Sequence, residues 1–273
     1  MRDLGYEDFP RLEELVYWIN MREVARENSK GCGDPMIDNY RYCNVYREDD
    51  KVTKAIYKWL EPHQDKDTFI PNVVMGRLFN QPDTLERIGF MNEWNPKWVR
   101  QVVDNIKLTG GRVFNPAYIV STNGRSMDKV DYLNEYVLGP AFEAKYRLGS
   151  PELDTQWRIL LGLQGVGSFM AAQIVADLKM FPRWIGATDY WTFVAPGPGS
   201  QRGMNRLRGL DPKAQRYNEK AFSMYIQPLR AIVYGAVGIK LCSQNMQNCL
   251  CEFDKYMRLK LGEGKPKQTY TRS

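Results

Sequence analysis

The chain carries one histidine, His63, so chemistry built on a histidine base is confined to its surroundings, and elsewhere a carboxylate is the expected general base. Two stretches have residue types and spacing suited to chemistry. In DNYRYCNVYREDDKVT, Asp38 to Thr53, the residues Asn44, Arg47 and Asp50 follow at three-residue intervals and share a face if the segment is helical. An amide, a guanidinium and a carboxylate on one face can orient a polar ring, hold an anion and accept a proton. The plain alternative is an exposed charged turn, which the interleaved Tyr42, Cys43, Val45 and Tyr46 argue against. In LQGVGSFMAAQIVADL, Leu163 to Leu178, Gly165, Val166, Gly167 and Ser168 join two apolar helical runs. Their backbone amides lie where a helix N-terminus attracts a phosphate, although an ordinary tight turn has the same composition.

The elements that position these residues read as helices. Apolar residues recur at three- and four-residue spacing in RLEELVYWINMREVAREN, which stops at Gly31. The same pattern returns in KVTKAIYKWL, NPKWVRQVVDNIKLTGG, KVDYLNEYVLGPAF, LDTQWRILLGL, SFMAAQIVADLKMF, YNEKAFSMYIQPLRAIVYGAVG and QNMQNCLCEFDKYMRLKL. The best strand candidate is Ala117 to Thr122. An all-α protein is therefore expected, its helices in two lobes around a cleft.

With 273 residues and 43% apolar content the chain can bury a core. The excess of 38 basic over 32 acidic residues suits a polyanion without proving one. Five cysteines do not make a disulfide scaffold, and Cys242, Cys249 and Cys251 do not supply four thiolates for an iron-sulfur cluster, so no metal is expected there. No run is long and apolar enough to span a membrane, and MRDLGYEDFP does not read as a signal peptide; a cytoplasmic protein is expected.

Leu163, Gly165, Val166 and Gly167, with Ala171, Ala172 and Ile174 behind them, resemble the helix-hairpin-helix of the DNA glycosylase superfamily. The resemblance implies a glycosylase-like helical domain over residues 1–260, with the hairpin at 158–180 and a flexible basic tail at 261–273. It also implies an aspartate after the second helix, at the mouth of a pocket for a flipped base, and Asp189 in GATDYWTF takes that place beside Tyr190 and Trp191. The lysine of Schiff-base lyases is replaced by Phe169, so strand cleavage by that route is not expected.

RYCNVYREDDKVT, with MREVAR upstream and CEFDKYMR downstream, resembles the alpha-glutamyl/putrescinyl-thymine pyrophosphorylase family of phage thymine hypermodification, a restriction-evasion system. A related helical domain accompanies 5-hydroxymethyluracil DNA kinases. The resemblance implies that a separate kinase makes 5-pyrophosphorylmethyl-uracil in DNA and that this enzyme displaces the pyrophosphate with an amino acid or polyamine. No G-x-x-x-x-G-K-[ST] motif is present for making that substrate itself. On this reading Asp189, or else Asp50, takes a proton, while Arg47 and Asn44 orient the base or bind the leaving group. Ser200, Arg202 and Arg206, in APGPGSQRGMNRLRG, form either a pyrophosphate cradle or a turn with arginines on the DNA backbone. Tyr42 and Tyr190 are pocket candidates, and Lys255 in CEFDKYMR is a substrate or scaffold residue. No organic cofactor is expected, and the only ion allowed for is a monovalent cation at the hairpin. The alternatives are a monofunctional glycosylase using Asp189 and a non-catalytic DNA-binding module.

Overall fold

A computed structural model describes residues 4–116 and 121–264, and within them every regular element is a helix. The expected strand falls largely outside the described residues, and Ser121 and Thr122 are not in one. The tail from residue 265 onward also lies outside them. The longer helices are α1 (Leu12–Glu27), α2 (Lys51–Leu60), α3 (Phe69–Phe79), α4 (Pro96–Leu108), α5 (Leu153–Leu161), α6 (Ser168–Leu178), α7 (Pro198–Leu207), α8 (Glu219–Val237) and α9 (Ser243–Lys260).

The chain divides into two compact units. The first unites the chain up to Asp50 with the chain from Trp191 onward, so α1 packs with α8 and α9, and α9 with α7, despite their distance in sequence. Its core includes Leu15, Trp18, Phe222, Met246, Leu250 and Phe253, all fully buried. The α7–α9 contact is unusually close because Gly203 has no side chain: a Cβ there would overlap the Leu250 carbonyl. Along that contact the buried Asp254 carboxylate of α9 accepts from Arg202 Nε and Arg206 Nε, each at 2.8 Å. Arg206 also pairs with Glu263.

The second unit runs from Lys51 to Tyr190. Helix α3 is buried on every side, so FIPNVVMGRLF presents no polar face, and the periodicity that marks the other helices is missing from it. Its one charge, Arg77, is neutralised by Asp177 of α6, to which it donates at 2.7 Å from Nε, and it also donates to Asn80 at 2.8 Å. Buried charges persist only when paired in this way. KVDYLNEYVLGPAF is helical along its length, with a π-helical stretch at Leu133–Leu138 before Pro140, whose ring nitrogen cannot donate. Helices α5 and α6 pack against each other, and the chain between them turns at Gly165, with φ +80°.

Candidate active site

The first unit builds a polar cluster around an irregular segment, Arg41 to Tyr46, and a single 3₁₀ turn, Arg47–Asp49. The helix that would align Asn44, Arg47 and Asp50 is therefore absent. They converge by a different route: the Asn44 N–H donates to Asp50 Oδ1 at 2.9 Å and closes the loop on itself. The reason is competition for backbone groups, because amides and carbonyls of this segment are taken by side chains of neighbouring helices.

One stripe of α9 supplies many of those partners. Asn245 donates to Glu48 at 3.0 Å, Asn248 to the Asn44 carbonyl at 3.2 Å, Cys249 to the Val45 carbonyl at 3.7 Å, and Glu252 accepts the Cys43 N–H at 3.3 Å. These positions recur at three- and four-residue steps, the spacing that puts side chains on one helix face. From the other direction Arg22 of α1 donates to the Cys43 carbonyl at 3.1 Å, to the Tyr42 carbonyl at 3.4 Å and to Asn44 Oδ1. MREVAR, RYCNVYREDD and CEFDKYMR, separate in sequence, thus meet in one place.

The cluster sets Arg22, Arg47 and Lys255 beside Asp50 and Glu252, with Glu23 near Arg22 and Glu48 on Asn245. Asn44, Arg47 and Glu252 are buried, whereas the side chain of Lys255 keeps 34% of its exposure and gives the cluster an open edge. Burial raises the Asp50 carboxyl to about 6, against the Asn44 amide and the Arg47 charge, which pull it down. Burial also works to lower Lys255, but Glu252 at 2.7 Å outweighs it and holds the ammonium above its ordinary range. Burial pushes the Cys43 thiol well up and Cys251 to about 12, so neither is a ready thiolate. What remains is a carboxyl raised by burial toward neutral pH, with cations beside it.

Other sequence candidates are placed elsewhere. Tyr42 joins the cluster by its backbone, but its hydroxyl donates to the Met36 carbonyl at 2.9 Å and its ring packs against Trp18 at 6.0 Å. Ser200 is buried and occupied with the N–H and carbonyl of Gly197, and Arg202 and Arg206 are drawn to Asp254; the expected anion cradle is a helix start braced by ion pairs. Asp189 and Tyr190 belong to the second unit. There Asp189 accepts the N–H groups of Leu153 and Asp154 at 2.9 and 2.8 Å, one on each oxygen, and anchors the start of α5. Tyr190 lies under Lys179 at 4.2 Å. At the hairpin Val166 is buried, Gly167 caps α6, and the Ser168 carbonyl accepts from Trp157 at 3.1 Å.

Arg22 and Glu252 do not stand out from spacing. The signal for them is a carboxylate at Glu252 on the apolar face formed by Cys249, Phe253 and Tyr256, since an unpaired charge there is costly. Among the described residues no three His, Cys, Asp or Glu side chains gather as metal ligands, and no helix is long and apolar enough to cross a membrane.

Residues 12–266 match the family described as "5-hmdU DNA kinase, helical domain". A curated relative, the 5-hmdU DNA kinase of Bacillus phage SP10, is 24% identical over 224 residues, which cover 69% of this chain and 35% of that protein. The match thus spans about a third of the relative's length. No solved structure matches the chain.

Proposed function

The chain belongs to the family of 5-hmdU DNA kinase helical domains, and from that membership and the Asp50 cluster we propose that it modifies a hydroxymethyl-uracil-derived base in DNA. The reaction we assign is displacement of pyrophosphate from 5-pyrophosphorylmethyl-uracil by the amine of an amino acid or polyamine. The observation that carries this reading is the meeting of three separate family-like segments at one carboxylate titrating at about 6 among cations.

An amine is an ammonium at neutral pH and must lose a proton before its nitrogen attacks. Asp50 takes that proton. The nitrogen lone pair forms the C–N bond at the methylene carbon on the ring, the C–O bond to pyrophosphate breaks, and its electron pair leaves on the pyrophosphate oxygen. Lys255 and Arg47 face the negative charge that develops there, and Asn44 orients the ring. Arg22 and Glu252 hold the segment that carries Asn44. The base reaches such a site by flipping out of the duplex. In the second unit, the α5–α6 turn with Gly165, Val166, Gly167 and Ser168 is by itself a candidate contact for a DNA phosphate. We rank Asp50 ahead of Asp189 as the base because both Asp189 oxygens already serve backbone amides.

The test is incubation with DNA containing 5-pyrophosphorylmethyl-uracil and a pool of amino acids and polyamines, followed by nucleoside mass spectrometry and pyrophosphate measurement. An aminated nucleoside with matching pyrophosphate supports the transferase; free base with an abasic site makes the protein a glycosylase. A second reading draws on the relative being a kinase of which this chain matches only a part: the domain binds the modified DNA for another catalytic unit. Tight, modification-dependent binding with no covalent product would establish that instead.

A further inference from the structure

A basic trough in the second unit is assigned nothing by the reading above. Two adjoining hollows, of 540 and 220 Å³, share Gln64, Lys66, Asp67, Arg183 and Trp184 in their walls. Asp67 is engaged by Lys145 at 3.2 Å and by the Tyr146 hydroxyl. Lys66 and Arg183 have no acidic partner among the described residues, although Asp65 lines the larger hollow with them. Tyr146, at the rim, is 77% exposed.

Arg183 is exposed and lies against two fixed features. Its guanidinium lies 5.1 Å from the centre of the Trp184 ring, and that ring is buried and anchored by a 2.7 Å bond from Nε1 to the Ser150 carbonyl. Gly149 is also beside it: a Cβ there would come within 2.8 Å of Arg183 Nη2. The fork therefore lies against an anchored aromatic ring and next to a backbone that carries no side chain, beside the hollow. A pre-oriented guanidinium is the group that grips a phosphate through two parallel bonds. Lys66 adds a second cation, and the exposed Tyr146 ring offers a face to a sugar or base.

We infer that this trough binds the phosphodiester backbone of DNA, with one phosphate held between Arg183 and Lys66. The inference rests on the reading that DNA is the substrate, but on residues separate from the Asp50 cluster. Its measurement is fluorescence anisotropy with labelled DNA across a salt series, for wild type, Arg183→Gln, Lys66→Gln and Gly149→Ala. Removing one bound phosphate lowers the slope of log affinity against log salt by about 0.9 for duplex, and removing a charge-assisted bond weakens binding roughly tenfold. Gly149→Ala is informative because it displaces the guanidinium without removing charge, and it is expected to weaken DNA binding as Arg183→Gln does.

Unchanged slope and affinity in Arg183→Gln overturn the proposal, as does an absence of DNA binding by wild type. Inorganic pyrophosphate or a nucleoside triphosphate is added in a separate arm. If either binds with an affinity that falls in Arg183→Gln while DNA binding does not, the trough takes free phosphates and the proposal fails. In a turnover assay with DNA as the varied substrate, Arg183→Gln is expected to raise KM. A salt-slope effect without any aminated product would leave this inference standing and remove the transferase reading.

Discussion

Replacing Asp50 by Asn removes a charge yet leaves an oxygen to accept the Asn44 N–H, so it separates the carboxylate's chemistry from its part in the fold. Burial lifts the Asp50 carboxyl from 3.8 to about 6, with the Asn44 amide and Arg47 opposing. Such a group binds its proton more tightly in the folded chain. Its contribution to stability is complete below pH 3.8 and is lost as pH rises through about 6. At about 1.36 kcal/mol per pH unit, the interval corresponds to about 3 kcal/mol of destabilisation at neutral pH, an upper figure for a site with an open edge. Asp50→Asn carries no such charge, so it is expected to be more stable than wild type at about pH 7, by up to about 3 kcal/mol, and nearly equal at about pH 4. Urea denaturation of both proteins across this range, followed by tryptophan fluorescence, reads the difference directly. Transfer by the same variant is expected to fall by about 10²- to 10⁴-fold. In wild type kcat/KM should rise with pH through about 6 as the base ionises. A variant less stable than wild type at neutral pH would mean that Arg47 and Asn44 outweigh burial, and the reasoning would fail; retained turnover would remove Asp50 from the chemistry.

Lys255→Gln removes the partly exposed cation at the edge of the cluster; pyrophosphate release at saturating DNA is expected to drop by about 10²-fold, with DNA affinity by anisotropy unchanged. Gly203→Ala puts a methyl group into the Leu250 carbonyl and is expected to lower stability by about 1–3 kcal/mol in urea, whereas Gly to Ala at an open helix position gains about 1 kcal/mol. Asp189→Ala leaves the first amides of α5 without their acceptor, so a loss of about 1–2 kcal/mol is expected with transfer per folded molecule unchanged. If transfer disappears while the circular dichroism spectrum is intact, Asp189 and not Asp50 is the working carboxylate.

Most of the helices were legible because each buries one face. KVTKAIYKWL coincides with α2, and SFMAAQIVADLKMF and QNMQNCLCEFDKYMRLKL contain α6 and nearly all of α9. Helix α3 was not legible, because burial on all sides erases the polar stripe and Pro71 falls in its first turn. Nor did local pattern announce that the chain's two ends form one unit, since the bonds that tie α9 to the first fifty residues, such as that from Cys43 to Glu252, bridge 209 positions of sequence. Periodicity reports which face of a helix is covered, not what covers it.

The site was legible in its residues and not in its geometry. Asn44, Arg47 and Asp50 do come together, but through an Asn44 amide bonded to Asp50 and a strip of α9, in place of helical spacing. Arg202 and Arg206 looked equally suited to an anion until Asp254 appeared beneath them, and no local feature of GPGSQRGMNRLRG could reveal a carboxylate about fifty residues away. The two sets of cations differ in how they are balanced. Asp254 is bonded at both oxygens by Arg202 and Arg206, so that charge is spent within the fold. At the Asp50 cluster Arg22, Arg47 and Lys255 stand beside Asp50 and Glu252, the Asp50 carboxyl is raised to about 6, and the side chain of Lys255 stays partly exposed. A fold optimised only for stability would replace such a cluster with apolar side chains of similar volume, which often leaves stability unchanged or improves it. On the proposed role for Asp50, the same substitution is therefore expected to raise stability and lower turnover together.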